Sequence, residues 1–168
     1  MTTIIAGTNR QGSNTKKIAL EYRRLLKEKG IGTNFFSLEG VEVWKQDAAF
    51  ERIEAEIIIP TKQFIIISPE YNGSFPGVLK MLFDNSSSHD IWFNKKALLT
   101  GLASGRAGNL RGMDHLADIL NFVKITVHPN KLPISQVNRL LDNEGHISDA
   151  GTLSAIHQQL DEFLAWIK

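Results

Sequence analysis

The sequence predicts an α/β protein whose parallel sheet is covered by helices on both faces, and three observations carry this. Short apolar runs alternate with amphipathic stretches from one end of the chain to the other. The run Phe64 to Ile67 is apolar at consecutive positions, as a central parallel strand buried on both faces requires. No repeat or low-complexity linker interrupts the alternation. The 168 residues fit one domain of about 150 residues that buries about 70% of its unfolded surface. Residues 1–168 are therefore expected to form a single domain.

Thr3 to Ala6 is β-branched and apolar and stops at Gly7, so it reads as the first strand. The loop GTNRQGSNT follows. From Thr15 to Lys29, Ile18, Tyr22, Leu25 and Leu26 fall at i, i+4, i+7 and i+8 on one helical stripe, with Ser13 or Asn14 as N-cap and Gly30 at the C-terminal cap. Thr33 to Leu38 is the second strand. Asp47 to Ile59 is a weaker helix carrying Phe50, Ile53 and Ile57, closed by Pro60. Gln63 to Ser68 is the third strand and runs into the loop SPEYNGSFPG. Pro76 suits the first turn of a helix whose buried stripe is Val78, Leu79, Leu82 and Phe83. Lys96 to Ala103 is the fourth strand, ending in SGRAGN. Met113, Leu116, Ala117 and Leu120 mark the next helix, and Val123 to Val127 the fifth strand, stopped by His128 and Pro129. Asp149 to Ile167 is the last helix, with Leu153, Ile156, Leu160, Phe163, Leu164 and Ile167 on one face. Five strands and five helices in strict alternation imply right-handed crossovers.

Composition excludes several chemistries. There is no cysteine, hence no disulfide framework, thiolate metal site or thiol nucleophile, and a reducing compartment fits. Nineteen basic residues against 18 acidic ones give a net charge of +1, without the basic excess of nucleic-acid binders. The start MTTIIAGTNR lacks a signal-peptide pattern, and no apolar run approaches the roughly 18 residues of a membrane span. A soluble cytoplasmic protein, binding neither nucleic acid nor membrane, is expected. The five histidines show no metal spacing and are assigned to the surface; no metal site is expected. Trp166 reads as a partly buried helix end, and Trp92 as a candidate for the rim of a ligand site.

In a sheet of this kind, ligands bind beyond the carboxyl ends of the strands where strand order reverses. The loops after strands one, three and four are also the three richest in Gly, Ser, Asn and Arg. The first, Gly7 to Thr15, enters a helix N-terminus, where unpaired N–H groups and the dipole attract an anion. Gly7 and Gly12 let the backbone curl, while Thr8, Ser13, Thr15 and Arg10 offer donors to phosphate oxygens. Gly12 is followed by Ser13-Asn14, not by the Lys-Ser/Thr of a nucleoside triphosphate loop, and G-x-G-x-x-G is absent. A phosphomonoester fits the loop better; helix capping by Ser13 and Asn14 alone is the simpler alternative. In the second loop, Tyr71, Asn72 and Gly73 offer an aromatic face and backbone N–H groups to a flat heteroaromatic ligand, or else form an ordinary Asn-Gly turn. The third loop, Ser104 to Asn109, opens the fourth helix and adds little alone.

Together, Gly7-Thr8-x-Arg10-x-Gly12-Ser13-Asn14-Thr15, Pro69-Glu70-Tyr71-Asn72-Gly73-Ser74-x-Pro76-Gly77-x-Leu79-Lys80 and Gly105-x-x-Gly108 resemble the NADPH-dependent FMN reductase family, the flavodoxin-like group that includes chromate, quinone and azo-dye reductases. The resemblance implies a five-stranded flavodoxin-like sheet of order 2-1-3-4-5 holding noncovalent FMN. It places the phosphate on Thr8, Arg10, Gly12, Ser13, Asn14 and Thr15. It places the isoalloxazine against Pro69, Glu70, Tyr71, Asn72 and Gly73 on one side and Ser104, Gly105 and Gly108 on the other. Homodimers, often pairing into homotetramers, are implied. Where many members have serine after the first glycine, this chain has Thr8, and Thr15 stands where they place asparagine. The stretch Ser86 to Phe93 matches no pattern of the family.

The resemblance further implies hydride transfer from NADPH or NADH to FMN and on to a small acceptor, such as a flavin, quinone, azo compound or metal oxyanion, in a ping-pong scheme. Backbone N–H groups of the second and third loops would stabilise charge on the reduced ring, and no catalytic side chain is assigned. Arg106 is either a contact for the NADPH phosphate or a solvated loop residue. The alternatives are an FMN-binding electron carrier without NAD(P)H activity of its own and a flavin-free binding module. A carrier that docks basic partners would be strongly acidic, and a charge of +1 is not.

Overall fold

The computed structural model describes all 168 residues. The chain runs β1 (Thr2–Ala6), α1 (Asn14–Glu28), β2 (Asn34–Ser37), α2 (Ala48–Ile53), β3 (Gln63–Pro69), α3 (Gly77–Asp84), β4 (Lys96–Leu102), α4 (Leu110–Phe122), β5 (Thr126–Val127), β6 (Leu132–Ile134) and α5 (Ala150–Ile167). The strands are all parallel, in the order β2-β1-β3-β4-β5, with β6 also on β4. This is the flavodoxin-like architecture and order implied by the resemblance.

Alternation along each strand divides the core. Ile5, Phe64, Ile66, Ala97 and Leu99 face a layer built on α2, α3 and α4. Ile4, Ala6, Ile65, Ile67, Leu98 and Leu102 face α1 and α5. The α1 stripe of Ile18, Tyr22, Leu25 and Leu26 is almost wholly buried, each side chain contributing about 1.5–3 kcal/mol of transfer free energy. Ser13 caps α1 by accepting a hydrogen bond from the Lys16 N–H at 3.2 Å.

The structure departs from expectation at three elements. The fifth strand shortens from Val123–Val127 to Thr126–Val127, and a sixth follows it at Leu132–Ile134. β5 pairs Lys96 and Ala97 of β4 with Thr126 and Val127, whereas β6 pairs Thr100 to Leu102 with Leu132 to Ile134. The prolines Pro129 and Pro133 hide this edge strand, because proline is admitted only at edges and interruptions. Gln159 bridges the gap: its Nε2 donates to the Leu99 carbonyl at 3.0 Å and the Asn130 carbonyl at 2.9 Å. The second helix widens over Glu54–Ile58 into a π-helical turn, closed by the buried Lys95 Nζ, which donates to the carbonyls of Ile58 and Ile59. Burial pulls that ammonium down to about 8. Pro76 precedes α3 as its N-cap residue and is not its first turn.

Two side-chain placements are also corrected. Trp92 rims nothing: it is fully buried between Phe64 and Phe83 and donates from Nε1 to Ser86 Oγ at 2.9 Å. The stretch Ser86 to Phe93 therefore seals the core beneath the π-helical turn, where the Ser87 N–H donates to Glu54 Oε1 at 2.7 Å. His128 is buried too, edge-on to Phe163 and Trp166, with its Nδ1 accepting from the Asn130 N–H at 3.2 Å. Burial lowers its pKa, so it stays neutral as an acceptor. No helix is long and apolar enough to cross a membrane, and no group of His, Asp and Glu is placed to hold a metal ion.

Candidate active site

A cavity of about 440 Å³ opens at the carboxyl ends of β1, β3 and β4, within the roughly 300–1,000 Å³ usual for cofactor sites. It is lined by Arg10, Gln11, Ser13, Asn14 and Thr15 from the first loop and by Pro69, Glu70, Tyr71 and Asn72 from the second. Leu102, Ala103 and Ser104 come from the end of β4, and Val137 and Asn138 from beyond β6.

The first loop forms the cationic end of the cavity. The N–H groups of Ser13, Asn14 and Thr15 have no acceptor within the protein, as the first turn of any helix leaves them. They meet the positive end of the α1 dipole, the preferred place for an anion. Arg10 adds a guanidinium with no carboxylate partner within ion-pair distance, its carbon 4.0 Å above the centre of the Tyr71 ring. Gly12 takes φ +61°, which a side chain would strain. Thr8, by contrast, lies behind the cavity wall and is 1% exposed. Its Oγ1 is 2.7 Å from Tyr71 Oη and accepts from the Arg10 N–H at 3.3 Å. That hydroxyl locks the first loop to the second.

The second loop is held by a two-residue hairpin. Tyr71 and Ser74 exchange backbone hydrogen bonds of 2.8 and 3.1 Å, with φ of 53° at Asn72 and 77° at Gly73, so Asn-Gly makes the tight turn its composition favours. Gly73 serves the turn rather than the cavity lining, with the Arg111 guanidinium beside it. Just before α4, Asn109 ties down the strand end: its fully buried Nδ2 donates at 3.0 Å to both the Ser68 and Pro69 carbonyls.

Of the third loop, Ser104 alone among the expected residues lines the cavity. The Gly105 carbonyl accepts from the Gln136 N–H at 2.9 Å. Gly108 presses its backbone onto Pro133 and Ile134, so tightly that a Cβ would lie 2.8 Å from the Pro133 Cβ. Gly108 thus shapes the wall from behind, whereas Gly105 is exposed, with nothing within 4 Å of where its Cβ would stand, and acts through its carbonyl. The sequence reading missed Gln11, Leu102, Ala103, Val137 and Asn138. Gln11 is in the first loop it singled out, and Leu102 and Ala103 are in the strand feeding the third. Val137 and Asn138 follow the unrecognised β6.

The arrangement suits a ligand with a phosphate at one end and a flat polar ring at the other. Unpaired N–H donors and Arg10 stand at the α1 end; Tyr71, Pro69 and Leu102 give apolar surface. The N–H groups of Asn72 and Ser104, on the second and third loops that line the cavity, are also unpaired within the protein. These features fit FMN.

The comparisons agree. The chain is 30% identical over 176 residues to an NAD(P)H-dependent FMN reductase of Pseudomonas aeruginosa, covering 98% of this chain and 93% of that protein. It is 24% identical to a 2-hydroxy-1,4-benzoquinone reductase of a Burkholderia species, covering 98% and 94%. Among solved structures it resembles FerB, a flavoenzyme NAD(P)H:(acceptor) oxidoreductase from Paracoccus denitrificans, with a TM-score of 0.83, 21% identity and coverage of 99% and 96%. A flavodoxin from the domain Archaea shares the fold, with a TM-score of 0.63, 15% identity and 96% of each chain covered. Residues 2–139 match the NADPH-dependent FMN reductase family, and the chain belongs to that family.

Proposed function

We propose that the protein passes reducing equivalents from NAD(P)H, through FMN held in the cavity described above, to a small acceptor such as a quinone or a flavin, donor and acceptor taking turns at one site. As a member of its family the chain is an oxidoreductase that uses FMN and NAD(P)H. The observation that carries the finer reading is the convergence, in one cavity, of the unpaired α1 N–H groups, unpaired Arg10, and the Pro69 to Asn72 wall.

In this reading Ser13, Asn14, Thr15 and Arg10 hold the FMN phosphate. Pro69, Glu70, Tyr71, Asn72 and Ser104 line the isoalloxazine. Thr8, Gly12, Gly73, Gly105 and Gly108 shape those walls. The bound flavin supplies hydride acceptance and release, and the protein supplies orientation and electrostatics. The Asn72 and Ser104 N–H groups are free to stabilise negative charge on a reduced ring. No side-chain acid or base is required. Arg10 stacked on Tyr71, whose hydroxyl meets Thr8, makes the phosphate end and the ring end one connected unit. The exposed Met81, Leu110 and Phe122 on α3 and α4 offer apolar surface that a second copy would cover, in a homodimer or homotetramer. A cytoplasmic setting suits a chain that uses a soluble dinucleotide.

Mixing the FMN-loaded protein with NADPH under anaerobic conditions tests the reading. Bleaching of the flavin absorbance within seconds is expected, followed by recovery on adding a quinone. Bleaching that waits for a separate reductase would instead make the protein an electron carrier.

The phosphate assignment has its own test. Arg10→Ala removes a charge-assisted contact worth about 1.5–3 kcal/mol, so FMN affinity should fall by one to two orders of magnitude in a fluorescence-quenching titration. Unchanged affinity would place the phosphate elsewhere.

A further inference from the structure

Asn138 lies 124 residues from Asn14 in sequence, yet the Asn14 Nδ2 donates to Asn138 Oδ1 at 2.6 Å. Both side chains line the cavity. The short segment carrying Asn138 is fixed to the opposite wall. The Ala103 N–H donates to the Ile134 carbonyl at 3.1 Å, Gln136 N–H to the Gly105 carbonyl at 2.9 Å, and Val137 N–H to the Ala103 carbonyl at 3.1 Å. Ser135 Oγ adds a bond to the Arg106 carbonyl at 2.6 Å. At Gln136 the backbone takes φ +51°, a left-handed turn that a non-glycine residue adopts at a cost. That turn starts the 3₁₀ helix Val137–Arg139. A strained turn held by several bonds places one polar side chain on the phosphate loop. Strain that the surroundings hold in place clusters at functional sites.

The bond fixes the Asn14 carboxamide at the first residue of α1, beside the unpaired N–H groups. We propose that Asn138 is a positioning residue for the phosphate loop, holding Asn14 in place to receive the phosphate end of the flavin mononucleotide. The proposal rests on the reading of the cavity as an FMN site. It adds a residue outside the first loop, tied to the wall at Ala103 and Gly105.

Separate titrations with FMN and riboflavin test it, because riboflavin lacks only the phosphate. Loss of one exposed neutral hydrogen bond is worth about 3–10-fold. Asn138→Ala should therefore weaken FMN by that factor and leave riboflavin unchanged. Asn138→Asp keeps an acceptor for Asn14 but sets a carboxylate beside the phosphate. It should weaken FMN more than Asn138→Ala does, with a loss that shrinks as salt is raised, again sparing riboflavin. Asn14→Ala and the Asn14→Ala/Asn138→Ala double variant should bind FMN alike, since Asn138 acts through Asn14.

Equal losses for FMN and riboflavin, or FMN affinity unchanged in Asn138→Ala, would overturn the role of Asn138 while leaving the flavin site standing. Additive losses in the double variant would also overturn action through Asn14. Failure of the wild-type protein to bind either flavin is a different result, and it would remove the flavin reading itself.

Discussion

Gly101→Ala is expected to destabilise the protein by about 3 kcal/mol and to weaken FMN binding at least tenfold. Gly101 lies in β4, where a Cβ would stand 2.4 Å from the Gly108 carbonyl oxygen and 3.0 Å from both the Asn109 Cβ and the Met113 Cε. The first of these is backbone, so it cannot swing aside as a side-chain end does. Nor has Gly108 free space, since its own Cα is held against Pro133 and Ile134. The loop from Ser104 to Asn109 must therefore lift off the sheet, taking Ser104 out of the cavity wall. At this chain length about 3 kcal/mol lowers the melting temperature by roughly 6–12 °C. Gly77→Ala provides the contrast: it opens α3 with nothing within 4 Å of its Cβ, and the same exchange there is neutral or slightly stabilising. Thermal melts and flavin titrations of both variants check the pair. A Gly101→Ala melt within error of wild type would show that the close approach yields without cost.

The close approach at Gly101 also shows which part of the site the sequence could not carry. Helix α1 is legible because its stripe, its cap Ser13 and its stop at Gly30 are local signals, each acting within four residues. The apolar run Phe64 to Ile67 is legible for the same reason. The roles of Gly101 and Gly108 depend on one backbone crossing another, which leaves no periodic trace. Thr8 illustrates a subtler difference. Its place after Gly7 suggests a direct phosphate contact, but its burial against Tyr71 makes it a brace between two loops. Asn138 was hidden because it follows a three-residue edge strand with a central proline. Trp92 was misread because an isolated tryptophan in a polar stretch looks exposed; only the assembled core shows the Phe64 and Phe83 rings on either side of it.

Asn109, the cap residue that precedes α4, ties the third loop to the end of β3 through its buried side chain, and Asn109→Ala should therefore cost about as much as Gly101→Ala by a different route. Asn109 is fully buried and left-handed, at φ 65°. Its Nδ2 reaches the Ser68 and Pro69 carbonyls at the end of β3, immediately before the Glu70 to Asn72 wall. Alanine deletes both bonds, at about 1 kcal/mol each, and places a residue that disfavours this conformation where asparagine tolerates it, at about 1–2 kcal/mol. Asn109→Gly loses the same bonds but accepts the positive φ, so it should be milder than alanine by about 1 kcal/mol. Asn109→Asp should be the most damaging of the three, because it turns a buried carboxylate toward two carbonyl oxygens. The order Asp, Ala, Gly in urea-unfolding free energy separates hydrogen bonding from backbone strain. Because the lost bonds anchor the wall at Pro69, flavin affinity should fall in all three variants even where they remain folded. If glycine proved as costly as alanine, strain would have no share in the effect; if all three kept wild-type flavin affinity, the second loop would be held by the Thr8–Tyr71 brace, its own hairpin and the Ser74–His115 hydrogen bond instead.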